Sequence, residues 1–248
     1  MKIDPKNPAN LSAQIAKSIR DSIINGDLIV DERLPSESEL ADQFDVSRPT
    51  VREALKRLAA QNLIRTQRGA TGGAFVRRLR YQDAYAQHVT TSTLLLSMND
   101  VTFETACEAR FTLERACAPL SAKRRSAQQV ATMRAEIQRQ EQADLSDEHF
   151  CDSDVAFHRA LVDGAKNPVL SYQLAGAVEA MQPLMNMITF SQRNREIIVG
   201  LHTRIANSIE AHNAASIDEA LEELASYTLK LGRAALAARA NRSKDAIA

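Results

Sequence analysis

The stretch from Ser36 to Leu58 constrains the fold most, because two helix starts follow each other eleven residues apart. Ser36-Glu37-Ser38-Glu39 comes after Pro35 and has the Ser-x-x-Glu spacing of a capping box, and Leu40, Ala41 and Phe44 supply that helix with a buried face. Asp45-Val46 is a short turn. Ser47 then caps a third helix, in which Val51, Leu55, Leu58 and Ala59 recur at i, i+4, i+7 and i+8. Two short helices across a tight turn form a helix-turn-helix. Upstream, Leu11, Ile15, Ile19 and Ile23 repeat every four residues and end at Gly26, a left-handed cap. Downstream, Leu63-Ile64-Arg65-Thr66 and Ala74-Phe75-Val76 bracket Gly69-Ala70-Thr71-Gly72-Gly73, which predicts a β-hairpin wing.

Charge separates this half from the rest. Residues 1–80 carry 14 Lys/Arg against 10 Asp/Glu, and residues 81–248 carry 17 against 21, so the net zero conceals a dipolar chain. Between 46 and 80 nine basic residues stand against the single acid Glu53, an excess that suits a polyanion. Arg48 and Arg52 lie one turn apart on the third helix, with Lys56 a turn further. An arginine fork can bond guanine O6 and N7 together, while Ser47, Thr50 and the free amides of the helix start can hold a phosphate. Arg65 and Arg68 add charge beside the Gly-rich tip of the wing.

From Tyr81 the sequence carries no convincing strand. Helical segments starting near 81, 100, 126, 147, 168, 194 and 216 predict six or seven helices, and the last residues, Asn241 to Ala248, should fray. The fold class is therefore mainly α. A winged helix-turn-helix over residues 1–80 precedes an all-α antiparallel helical bundle over 81–240. Cys107, Cys117 and Cys151 show no C-x-x-C spacing and read as small core residues. No apolar run approaches the roughly 20 residues of a membrane span, so a cytoplasmic chain is expected.

Leu34-Pro35-Ser36-Glu37, Glu39-Leu40-Ala41, Val46 through Leu55 and Leu63-Ile64 resemble the GntR family of bacterial regulators over residues 11–78. The resemblance implies double-stranded operator DNA as partner, with Arg48 and Arg52 at bases, Ser47 and Thr50 at phosphates, and Arg68 with Gly69 in the wing. Two positions depart from the pattern. Ser38 stands where many members of the carboxylate-sensing subgroup have arginine, and Asn62 replaces a glycine at a left-handed position that asparagine tolerates.

Glu108-Ala109-Arg110, Leu113-Glu114, Asp154-Val155-Ala156-Phe157-His158 and Asn167-Pro168 resemble the helical effector-binding domain of the FadR-like branch, the FCD domain. That resemblance implies a divalent metal, zinc above others, ligated by Asp154, His158 and His202 beneath a small carboxylate effector. Asp154 and His158 share a helix face at i, i+4. Tyr227 occupies the slot of the usual last histidine, so three protein ligands are expected at most, with water or effector completing the shell. A buried acid–imidazole pair without metal is the alternative. Arg110, in an apolar helix, suits an anionic effector, or else an internal salt bridge to Glu108, Glu114 or Asp154. Tyr227, Asn186 and Gln182 are placed in the same pocket, Met181, Met185 and Met187 in its wall or the core, and His212 on the surface.

Together these readings predict a homodimeric repressor or activator on a palindromic operator, switched by a small organic acid. A metal-sensing repressor is the nearer rival. A zinc hydrolase is the remote one, because no general base, nucleophile motif or phosphate loop accompanies the ligand set, and the chain is not expected to be an enzyme.

Overall fold

The computed structural model describes residues 10–69, 72–98, 101–181, 185 and 193–245, apart from the side chains of 175 and 239–245. The chain divides into two compact units, Met1–Ala84 and Tyr85–Ala248. In the first, α1 (Leu11–Ile24), α2 (Glu37–Phe44) and α3 (Arg48–Ala60) precede β1 (Ile64–Gln67) and β2 (Gly73–Val76).

Local chemistry sets the ends of these elements. The Ser36 hydroxyl accepts from the Glu39 amide at 3.2 Å and the Glu39 carboxylate accepts from the Ser36 amide at 2.7 Å, closing the capping box. Asp45 ends α2 in the left-handed region, at φ 51°. Asn62 does the same after α3 at φ 58°, and the Leu63 amide returns to the Leu58 carbonyl, so the asparagine performs the task of the expected glycine. Ile15, Ile19, Leu40, Phe44, Val51, Leu58 and Ile64 form one core. Ala54, not Ala59, completes the fully buried stripe of α3: the helix turns Ala59 toward the core's edge, where it is half-buried.

The wing pairs antiparallel with Ile64 opposite Val76 and Gln67 opposite Gly73. It has a third contributor that the sequence did not announce. Arg33 bridges Phe75, the Leu34 amide donates to the Ala74 carbonyl at 2.8 Å, and Arg33 Nη2 donates to the Gly72 carbonyl at 2.6 Å. The segment before α2 thus covers the outer edge of β2 and leaves it fewer open backbone groups.

Helix α4 (Tyr81–Met98) runs across the division at Ala84, and the rest of the second unit is a helical bundle of α5 (Phe103–Arg124), α6 (Ala127–Gln140), α7 (Asp147–Gly164), α8 (Pro168–Val178), α9 (Arg195–Glu210) and α10 (Ala214–Asp245). Helix α5 packs on α7 and α10, α6 on α7 and α9, and α9 on α10. Phe111, Met133, Phe157, Leu161, Ile205 and Leu221 centre its main core. Cys117, Val162, Leu174 and Val178 form a smaller cluster between α5, α7 and α8. All three cysteines are free and buried. Among the described residues no helix is long and apolar enough to cross a membrane.

Candidate functional site

Two groups of residues carry recognisable chemistry, one in each unit. In the first unit Ser47 caps α3, its hydroxyl 2.8 Å from that of Thr50, and Pro49 occupies the first turn. Ser47, Arg48, Arg52 and Lys56 are exposed and Thr50 is half-buried. This places two hydroxyls, the start of α3 and two guanidinium groups within two turns, the equipment for phosphate and base-edge contacts. Arg52 is also tied to α2: its Nη2 donates to Glu37 Oε2 at 2.8 Å and its Nε to Oε1 at 3.2 Å. Those bonds hold the Glu37 carboxyl below the usual carboxylate range. Arg68 and Gly69 lie exposed just beyond β1, Gly69 with φ 109°. Arg65 packs over the Phe75 ring at 4.7 Å and pairs with Asp31 at 3.4 Å.

In the bundle, Asp154 and His158 come from successive turns of α7 and His202 from α9. The three offer ligand atoms within 4.8 Å of one another. Both imidazoles are fully buried. Asp154 Oδ1 lies 3.5 Å from His202 Nε2 and 3.9 Å from His158 Nε2.

The surroundings settle which ring nitrogens face inward. Glu114 on α5 places Oε2 2.7 Å from His158 Nδ1, an ion-pair distance that leaves the Nε2 side of the ring toward Asp154. His202 Nδ1 lies 2.8 Å from Gln140 Oε1. The orientation of Gln140 follows from its neighbours. Ser153 Oγ gives its proton to the Glu136 carbonyl, so it accepts from Gln140 Nε2 at 3.1 Å, leaving Oε1 to receive the His202 proton. Both Nε2 atoms therefore face Asp154, buried and without a hydrogen-bond partner. Burial, aided by the charges of His158 and Arg110, pushes His202 down to about 3 against the pull of Asp154, so its imidazole is neutral near pH 7. Burial raises the Asp154 carboxyl, but the His158 and Arg110 charges outweigh it and the group stays below its ordinary range, ionised.

An ionised carboxylate and two buried Nε2 atoms without hydrogen-bond partners suit a divalent cation such as zinc. The 3.5 and 3.9 Å separations are slightly wider than the about 3.3 Å between neighbouring ligands of a tetrahedron with bonds near 2.0 Å, a gap that small side-chain shifts close. Glu114 and Gln140 supply the outer support that fixes each ring.

The sequence missed this support. Gln140 sits at the end of α6 with no pattern to mark it, and Glu114 was legible only as a possible partner of Arg110. It is that as well: Arg110 Nε donates to Glu114 Oε1 at 2.9 Å, and Nη2 lies 3.5 Å from Asp154 Oδ2. Glu108 is exposed and takes no part.

A cavity of about 40 Å³ opens beside the cluster, bordered by Arg110, Asp154, His158, Arg193, Tyr227 and Thr228, with apolar walls from α7 to α10. Tyr227 lines it, and its phenol oxygen accepts from the Asn194 amide at 2.8 Å. Met185 lines the cavity and Met181 lies in the core. Cys151 and Arg193 border it too, which the sequence did not suggest. Asn186, Gln182 and Met187 lie outside the described residues. His212 is exposed as expected, though its Nδ1 lies 2.6 Å from the Ala122 carbonyl.

Comparison with known proteins supports both halves. The model of bacterial regulatory proteins of the gntR family matches residues 11–76, and that of the FCD domain matches 105–226. An uncharacterized HTH-type transcriptional regulator of Bacillus subtilis, YcbG, is 26% identical over 84% of each chain. The galactonate operon transcriptional repressor of Escherichia coli is 27% identical over 70% of this chain and 74% of its own. The solved GntR structure from Streptococcus agalactiae shares the fold at a TM-score of 0.54, with 23% identity over 90% of this chain and 99% of that one. The relatives are transcriptional regulators, not enzymes, and speak against the hydrolase alternative.

Proposed function

We propose that a small carboxylate-bearing molecule, bound over a divalent metal, controls this chain, a DNA-binding transcriptional regulator that belongs to the gntR family of bacterial regulatory proteins and carries an FCD domain. One observation carries the reading: two buried Nε2 atoms, His158 and His202, face the Asp154 carboxylate with no protein partner of their own. Unpaired buried polar atoms are costly, and a cation shared by all three removes the cost. Bound zinc would offer the open coordination position on which a carboxylate can settle. Arg110, on the cavity border, then places a fixed positive charge beside the acid.

The cavity's size gives the mechanism its switch. At about 40 Å³ it holds roughly three waters, so an organic acid enters only if its walls move. An acid that binds the opened arrangement more tightly shifts the population toward it, and the difference in affinity sets how far operator binding changes. Ser47, Arg48, Thr50, Arg52, Arg68 and Gly69 are the residues assigned to DNA. Two copies reading a palindromic operator, as a repressor, multiply the discrimination of one small domain. The relative named for the galactonate operon is consistent with an acid signal.

The same small cavity favours a second reading, in which the cation alone is the signal. Calorimetry on chelator-treated protein tests the first. Zinc should bind once per chain, and an acid such as L-lactate should bind only afterwards; acid binding of equal strength without zinc would refute the arrangement.

A further inference from the structure

Helix α10 contributes none of the three residues of the Asp154 cluster, yet it forms one wall of the cavity. Leu224, Thr228 and Leu231 border the cavity at i, i+4 and i+7, so Thr228 sets a hydroxyl in an otherwise apolar stripe, with Tyr227 beside it. Thr228 is only 6% exposed. Elsewhere in this chain helix threonines occupy their own hydroxyls. Thr90, Thr91, Thr93, Thr132 and Thr203 each donate to the carbonyl four residues back, at 2.8 to 3.0 Å. The Thr228 hydroxyl makes no hydrogen bond among the described residues. A buried polar group left in that state is costly unless something in the cavity meets it.

We propose that Thr228 reads a hydroxyl on the effector, which makes the ligand a hydroxylated carboxylic acid, its carboxylate at the metal beside Arg110 and its hydroxyl at Thr228. This rests on the reading under Proposed function and narrows it to a class of ligand. The two ends are distinct because the cluster stands on α7 and α9 and Thr228 on α10. An alcohol is the partner that fits. Thr228 Oγ1 has one proton to give and lone pairs that accept, and an alcohol has the same, so the two pair in either direction. A second carboxylate fits worse: it would be desolvated between Leu224 and Leu231, and among the described residues α10 brings no cation to the cavity. An acid without the hydroxyl leaves Thr228 unmet, and a wall built to hydrogen-bond selects against such an analogue.

Two matched pairs test the assignment, L-glycerate against L-lactate and L-malate against succinate, each pair differing by one hydroxyl. Calorimetry on zinc-loaded full-length protein compares wild type, Thr228→Val and Thr228→Ser. Wild type should favour the hydroxylated member of at least one pair roughly tenfold, the scale of one hydrogen bond to a buried group. Thr228→Val should bring that acid down to the level of its deoxy counterpart while leaving the counterpart within threefold, and Thr228→Ser should keep the preference. Thermal unfolding without acid gives a second readout: Thr228→Val exchanges an unmet hydroxyl for a methyl group and should melt no lower than wild type. No preference in either pair, a preference that survives Thr228→Val, a parallel loss of both members, or a lower melting temperature for Thr228→Val would overturn the role of Thr228 and leave the metal-and-acid reading standing. Failure of all four acids to bind zinc-loaded wild type would overturn both.

Discussion

Glu114 Oε2 lies 2.7 Å from His158 Nδ1, and neither side chain reaches solvent. The carboxylate holds the Nδ1 side of the ring, leaves Nε2 toward Asp154, and pairs with Arg110 on the previous turn of the same helix. Burial raises the Glu114 carboxyl, but His158 and Arg110 outweigh it, so the group stays charged. Glu114→Gln keeps the shape and removes that charge. Zinc affinity should fall roughly 10–100-fold, as for other supports of metal-bound imidazoles. Competition with a chromophoric chelator reads the change, and unaltered affinity would show that Glu114 does not orient the ligand.

Arg52 and Glu37 make a separate prediction. Arg52→Ala should cut the preference for operator over scrambled DNA by roughly tenfold or more, the scale of a lost bidentate base contact. The pair is exposed, so thermal unfolding should barely move. Glu37→Ala frees the arginine and should leave operator preference in place. If Arg52→Ala discriminates as well as wild type, Arg52 serves only to join α2 to α3.

The DNA-facing half was almost fully legible because its signals are local. Capping serines, a left-handed Asn62 and a Gly-rich hairpin each act within a few residues, so spacing reveals them. Asp154 and His158 were legible for the same reason. Gln140, Arg193 and the Arg33 edge of the wing were not, because each meets its partner across a gap in sequence that no period records. Tyr227 shows the limit of counting: its position on α10 was right for the cavity, yet its hydroxyl serves the backbone at Asn194.

Two glycines should respond oppositely to the same change. A Cβ on Gly232 of α10 would fall 2.0 Å from the Phe103 ring, so Gly232→Ala should destabilise by about 1–3 kcal/mol through overpacking. Gly200, in α9, has nothing within 4 Å of its Cβ position, and Gly200→Ala should stabilise by about 0.5–1 kcal/mol through helix propensity. Chemical denaturation separates them, and a shift of the same sign in both would contradict the packing of α5 against α10.

Acid should weaken the metal-free bundle. His202, pushed down to about 3, resists the proton that an unfolded histidine takes near 6.5, so the unfolded state binds more protons as pH falls below 6.5. Asp154 and Glu114, both held below their ordinary range, act in the same direction at lower pH. Chelator-treated protein should therefore melt at a lower temperature at pH 5.0 than at pH 7.5, and His202→Gln should flatten that slope. An identical slope in the variant would mean that His202 is not neutral in the folded chain.

An acid at the Asp154 cluster should control DNA binding. The direct test is fluorescence anisotropy on an operator selected from random DNA, measured with and without zinc and with and without L-malate. Malate should change operator affinity at least fivefold when zinc is present and have no effect after chelation, while zinc alone should change little. A full change on adding zinc without acid, or an equal malate effect without zinc, would contradict it.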